Sequence, residues 1–173
     1  MRALIVYESL FGTNRTIAEA IAAGIGADAT ITLVDAASAP ATIDDRVDLL
    51  VVGGPNHQFG LPRPATRAEA AAQHEGGGPP ARRGLREWLD ELELFQPGQP
   101  AAVWDTRMAS PRFLDSVDHS SRTIAKRLRR SGARLVVEPR HFYSADGRGE
   151  LVECEEDRAR EWGTQLAGLM LPA

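Results

Sequence analysis

A chain with a single cysteine, Cys154, has no partner for an internal disulfide and no second thiol for a dithiol redox centre. That scarcity fits a reducing compartment, and the expected location is cytoplasmic. Lysine is equally scarce: Lys126 is the only one among 20 basic residues, the rest being arginine in an alanine-rich chain. This reads as compositional bias, so the arginine count alone carries no functional meaning. No apolar run approaches the ~20 residues of a spanning helix, and Ala3–Tyr7 is too short for the core of a signal segment. A net charge of -4 and a pI near 5.6 give no broad positive field, so neither nucleic acid nor a membrane is an expected partner. The first strand is not followed by G-x-G-x-x-G, and no G-x-x-x-x-G-K-S/T occurs, which argues against dinucleotide and P-loop nucleotide binding. Gly53-Gly54 stand where a phospho-receiver needs an aspartate, and no spacing of metal ligands is read.

What remains is an ordinary globular composition, with 43% hydrophobic and 25% charged residues over 173 positions, enough for one domain spanning 1–173. Ala3–Tyr7 is a continuous apolar run, as expected of a strand buried on both faces. Ile17, Ile21 and Ile25 recur at helical spacing beside Ala18 and Ala22, ending near Gly24 and Gly26. Further strands are expected at Ala29–Asp35, Val47–Val52, Ala101–Asp105 and from Leu135 to Val137. Helices are expected over Arg63–Gln73, around Leu85, Trp88, Leu89 and Leu92, around Ile124 and Leu128, and from Glu155 to the end. Gly76–Pro80 reads as a loop, and Asp146-Gly147 as a tight hairpin turn extending the last strand. This alternation predicts an α/β fold: a three-layer, doubly wound sandwich around a five-stranded parallel sheet with right-handed crossovers. In such sheets ligands bind beyond the carboxyl ends of the strands, so the loops after the first, third and fourth strands matter most.

The loop after the first strand is Glu8-Ser9-Leu10-Phe11-Gly12-Thr13-Asn14, running straight into a helix. Backbone N–H groups, a hydroxyl, an amide and the positive end of the helix dipole suit a phosphate there, with Gly12 letting the turn curl around it. The same residues also serve as plain helix caps. Both readings stay open on this loop alone.

Three segments in order resemble the flavodoxin family, in the branch whose phosphate loop reads Ser-x-Phe-Gly-x-Thr-Arg and whose third strand ends in Gly-Gly-Pro-Thr-His. They are Tyr7–Arg15, Val51–Gly60 and Asp105-Thr106-Arg107 after the fourth strand. The resemblance implies strand order 2-1-3-4-5 and an FMN whose phosphate lies on Ser9, Leu10, Phe11, Gly12, Thr13 and Asn14. The flavin ring would sit between Pro55, Asn56, His57, Phe59 and Gly60 on one side and Asp105, Thr106 and Arg107 on the other. The chain departs from the family pattern at Phe11 and Asn14, where hydroxyls are usual, and at Asn56, where this branch carries threonine. These departures predict weaker phosphate binding.

Within that frame Gly53, Gly54 and Gly60 either let a backbone carbonyl turn toward the flavin N5–H or simply make a turn. Phe11, Phe59 and Trp104 are stacking candidates, Trp104 also reading as core. Arg107 either stands beside the flavin N1 edge and raises its potential, or is a loop arginine paired with Asp105. Lys126, Arg127, Arg129 and Arg130 read as a solvated helix face. The implied function is one-electron transfer through the three oxidation states of FMN, with a redox partner protein or a small-molecule electron acceptor as partner. The alternatives are an FMN-dependent NAD(P)H or quinone oxidoreductase, and a flavin-free interaction domain on the same scaffold.

Overall fold

The computed structural model describes residues 1–56, 60–73, 82–109, 119–145 and 149–171. Strand β1 (Arg2–Tyr7) pairs in parallel with β2 (Thr30–Asp35) on one side and β4 (Leu49–Pro55) on the other. Beyond β4 lies β6 (Pro100–Met108), and the next position is shared by two short strands, β7 (Arg134–Leu135) and β8 (Arg140–Ser144), both parallel to β6. The path β2-β1-β4-β6-β7 is the expected 2-1-3-4-5 order with the fifth strand in two pieces. Pro139 sits at the break, where it has no N–H to give the ladder. A second, two-stranded sheet joins β3 (Thr42–Ile43) to β5 (Glu93–Leu94). Each is too short to leave a period in the sequence.

Successive strand residues face opposite sides, and here both sides are covered. Leu4, Val6, Leu50, Val52 and Val103 pack against α3 (Leu85–Glu91) and α4 (Ser120–Arg130) through Leu85, Trp88, Leu89, Ile124 and Leu128. Ala3, Ile5, Leu49, Val51, Trp104 and Phe142 pack against α1 (Thr13–Ile25) and α5 (Glu155–Leu169) through Ile17, Ile21, Ala159, Trp162 and Leu166. The expected three layers are therefore present. Helices α1 and α5 touch backbone to backbone: a Cβ at Gly24 would lie 1.9 Å from the Arg160 carbonyl, and one at Gly163 would lie 2.2 Å from that of Ile21. The Thr164 hydroxyl fastens the crossing by donating to Gly24 O at 3.0 Å.

Helix α2 (Pro64–Gln73) matches the span expected from Arg63. The Gly76–Pro80 loop lies outside the described residues, as do the hairpin residues 146–148. The flanks of that hairpin are antiparallel, with Ser144 bridging Leu151 and Val152 N–H donating to Tyr143 O at 3.0 Å. Among the described residues no helix is long and apolar enough to cross a membrane.

Candidate functional site

The carboxyl ends of β1, β4 and β6 come out side by side, and the chain leaves β1 through Glu8–Gly12 into α1. Gly12 caps α1 with φ +92°, a left-handed conformation that glycine adopts without steric cost. The Ser9 hydroxyl reaches over the turn and accepts from Arg15 N–H at 3.3 Å. Among the described residues, the backbone N–H groups of Leu10, Gly12, Thr13 and Asn14 meet no acceptor. Four donors are thus left open at the positive end of a 13-residue helix, an arrangement chemically suited to an anion. Phe11 is half-buried, and Gly149 packs so closely on it that a Cβ there would lie 2.6 Å from its carbonyl oxygen.

Asn14 does something the sequence did not suggest. Its side chain is buried; Nδ2 donates to Thr106 Oγ1 at 2.8 Å and Oδ1 accepts from Trp104 Nε1 at 3.2 Å. The amide ties the start of α1 to β6, so what Asn14 offers the loop mouth is its backbone N–H. Trp104 is fully buried and belongs to the core, the second of its two readings.

Asp105, Thr106 and Arg107 were expected in a loop after the fourth strand. They lie inside β6, which runs on to Met108 because β8 pairs with it as far as Ser144. Their exposures are 0%, 6% and 6%. Asp105 accepts from Arg107 Nε at 3.0 Å and Nη2 at 3.2 Å, and from Ser121 N–H at 3.0 Å, with His141 Nδ1 2.7 Å from Oδ1. Arg107 is thus paired with Asp105, the blander of its two readings.

Pro55 closes β4 and Asn56 N–H extends its ladder to Thr106 O at 2.8 Å. The Ser120 hydroxyl lies 3.0 Å from Asn56 Oδ1, holding this loop to the start of α4. His57 and Phe59 lie outside the described residues, and Gly60 is half-buried with open space where a Cβ would stand. Both readings of Gly53 and Gly54, as carbonyl hinges and as a turn, are corrected. Both sit within β4, Gly53 O already accepts Glu8 N–H at 3.1 Å, and the missing side chains make room for Trp104 and Leu85.

The sequence also gave no role to Glu8, Arg67 and Glu87. Glu8 is 4% exposed; its carboxylate accepts Leu85 N–H at 2.9 Å and lies 3.4 Å from Arg67 Nη1. Arg67 Nη2 reaches Glu87 at 2.8 Å, and Glu87 accepts Gly84 N–H at 2.9 Å. Arg67 is buried at 3% exposure, and it joins α2 to the end of β1 and the start of α3. Burial pushes the Glu8 carboxyl up from 4.5 to about 7, outweighing the Leu85 N–H and the Arg67 charge.

A raised carboxylate pKa means that the folded chain keeps a proton the unfolded chain has lost. Its stabilising contribution is complete below pH 4.5 and disappears as pH rises through about 7. The interval corresponds to at most about 3–4 kcal/mol, at about 1.4 kcal/mol per pH unit. Glu8→Gln removes the titration, so urea unfolding should show wild type losing stability relative to the variant between pH 4.5 and 7. A pH-independent difference between the two would show that Glu8 ionises freely.

No protein-family model matches the sequence, and no curated protein matches it. The fold is flavodoxin-like. A flavodoxin from the domain Archaea is 15% identical, with a TM-score of 0.65 over 98% of this chain and 99% of its own. Flavodoxin 1 from Bacillus cereus is 16% identical, with a TM-score of 0.68 over 97% and 98%. A flavodoxin, WrbA-like protein from Agrobacterium tumefaciens is 16% identical, with a TM-score of 0.59 over 98% and 96%. At such identities the likeness establishes the architecture, and the site must speak through its own residues.

Proposed function

We propose that this chain binds FMN across the carboxyl ends of β1, β4 and β6 and serves as an electron carrier. The carrying observation is the set of open N–H donors at Leu10, Gly12, Thr13 and Asn14 behind the left-handed Gly12. These donors fit a phosphate monoester, and the flavodoxin-like fold with its three switch-side loops supports the flavin as the rest of the ligand. Bound FMN supplies the redox chemistry. The chain supplies the grip: backbone donors and the α1 dipole hold the phosphate, and Asn14 keeps the mouth of α1 on β6. Ser120 fixes Asn56 beside the ring position, and the buried Asp105–Arg107 pair keeps β6 rigid beneath it. The electrons pass to a redox partner protein or a small-molecule acceptor.

Fluorescence quenching by the purified chain tests this reading. The expected result is FMN binding at about 1 μM or tighter, roughly -8 kcal/mol. Ser9→Asp should weaken FMN at least about 100-fold, since a carboxylate would take the place of the phosphate at the same dipole. Riboflavin, which lacks the phosphate, should bind both forms alike. No quenching by either flavin would leave an interaction domain on this scaffold, whereas NADPH turnover with a quinone would move the chain to the FMN-dependent oxidoreductases.

A further inference from the structure

A second cluster lies on the α4 face of the sheet, apart from the α1 loop. There Arg107, Ser121, Arg122, Arg129, Glu138 and His141 line a cavity of about 380 Å³ with Ala125 and Pro139, within the size range of small-molecule pockets. The inner wall is already organised. Asp105 fixes Arg107 through two hydrogen bonds and holds His141 by Nδ1, leaving Nε2 as the remaining polar atom of that ring.

Two features have no explanation within the fold. Ser121 is fully buried and its hydroxyl meets no hydrogen-bond partner among the described residues, an arrangement that native interiors rarely leave. Arg122 and Arg129, seven positions apart on α4 with Ala125 between them, are exposed and make no ion pair or hydrogen bond among the described residues. The basic face of α4, expected to be merely solvated, is therefore divided. Arg127 turns away to Asp90, while Arg122 and Arg129 border the cavity. The one carboxylate lining it, Glu138, is exposed. With Arg107 neutralised by Asp105, two guanidinium groups face one carboxylate, and the cavity is net positive.

We infer that this cavity binds the phosphate of a small organic phosphate. Forked guanidinium donors at Arg122 and Arg129 match phosphate oxygens in pairs, and the Ser121 hydroxyl supplies the neutral donor that phosphate sites commonly include. The volume leaves space for more than the phosphate itself, as a nucleoside monophosphate would need. This site does not depend on FMN binding at the α1 loop.

Chemical-shift mapping by ¹H–¹⁵N NMR on the full chain, with inorganic phosphate, AMP and adenosine as separate probes, tests the assignment. Saturable shifts at Ser121, Arg122 and Arg129 with AMP but not adenosine are expected. If inorganic phosphate gives the same shifts at similar concentration the anion alone is the ligand; if only AMP does, a nucleotide is. Arg122→Glu with Arg129→Glu should weaken AMP at least about tenfold at these residues, and Ser9→Asp should leave it unchanged. Both arginines are exposed and unpaired, so the double variant should fold, as its dispersed spectrum would verify. Shifts confined to Leu10–Asn14, or binding undiminished in the Arg122/Arg129 variant, would overturn the proposal while leaving the flavin reading untouched.

Discussion

Replacing Gly53 with alanine is expected to cost more than the roughly 1–3 kcal/mol of an ordinary overpacked core site. The new methyl would fall 2.0 Å from Cδ2 and 2.1 Å from Cε2 of the Trp104 indole, inside the ring's van der Waals surface. Trp104 has no exposed side to move toward, and Gly53 is pinned between Tyr7 and Trp104 in the parallel ladders of β4. Total stabilities are only about 5–15 kcal/mol, so a cost above about 3 kcal/mol should lower the melting temperature by about 10 °C or more. The damage should also reach the site. A displaced indole releases Asn14 Oδ1, and with it the tie between α1 and β6, so FMN affinity should fall together with stability. Trp104→Leu makes space for the methyl, which gives the decisive comparison. Adding Gly53→Ala to Trp104→Leu should cost far less than adding it to wild type. Equal costs in the two backgrounds would mean that the indole is not what excludes a side chain at position 53.

The contrast between what Gly53 looked like and what it does marks the limit of sequence reading here. The strands around it were legible because a run such as Leu49–Val52 is apolar at every position, as a strand buried on both faces must be. Helix α1 was legible because Ile17, Ile21 and Ile25 recur on one face. The Gly-Gly pair also signals an unusual backbone requirement, but one sequence does not say whether the requirement is conformational freedom or space. Space is decided by Trp104, 51 positions on, through a register that only the folded sheet defines.

The polar residues show the same division. Asp105-Thr106-Arg107 were placed at the end of the fourth strand and beyond it by the family resemblance, since the apolar run stops at Trp104, yet all three lie inside β6. They do so here because each is satisfied: Thr106 by Asn14, 92 positions away, and Asp105 by Ser121 and His141, 16 and 36 positions away. Glu8 sat in plain view between an apolar strand and the anion loop. Its partners Arg67 and Leu85 are 59 and 77 positions off, in segments whose own signals are merely helical. The open N–H groups at the start of α1 were legible because they belong to neighbouring residues at a helix start, a local arrangement that needs no distant partner.

Removing the Asp105 carboxylate should be the most costly single change among the polar residues. Asp105→Ala would leave Arg107 buried at 6% exposure without its bidentate acceptor, the Ser121 N–H without a partner and His141 without its Nδ1 contact. Breaking a buried ion pair from one side costs about 3–5 kcal/mol, because the surviving charge stays desolvated. Asp105→Leu combined with Arg107→Met removes both charges and should recover much of that loss. The pH dependence separates this from a simple loss of packing. Burial alone would raise the Asp105 carboxyl, but the hydrogen bonds and charges of His141 and Arg107 outweigh it and hold it below the ordinary 3.8. A lowered carboxylate pKa stabilises the fold above 3.8, and the contribution is lost as pH falls through the lowered value. Wild type should therefore lose stability relative to the Leu–Met variant on acidification below about pH 4, by chemical denaturation at matched ionic strength. Parallel acid limbs in the two proteins would show that Asp105 is not held ionised by its neighbours, and the rigidity assigned to β6 beneath the flavin position would lose its source.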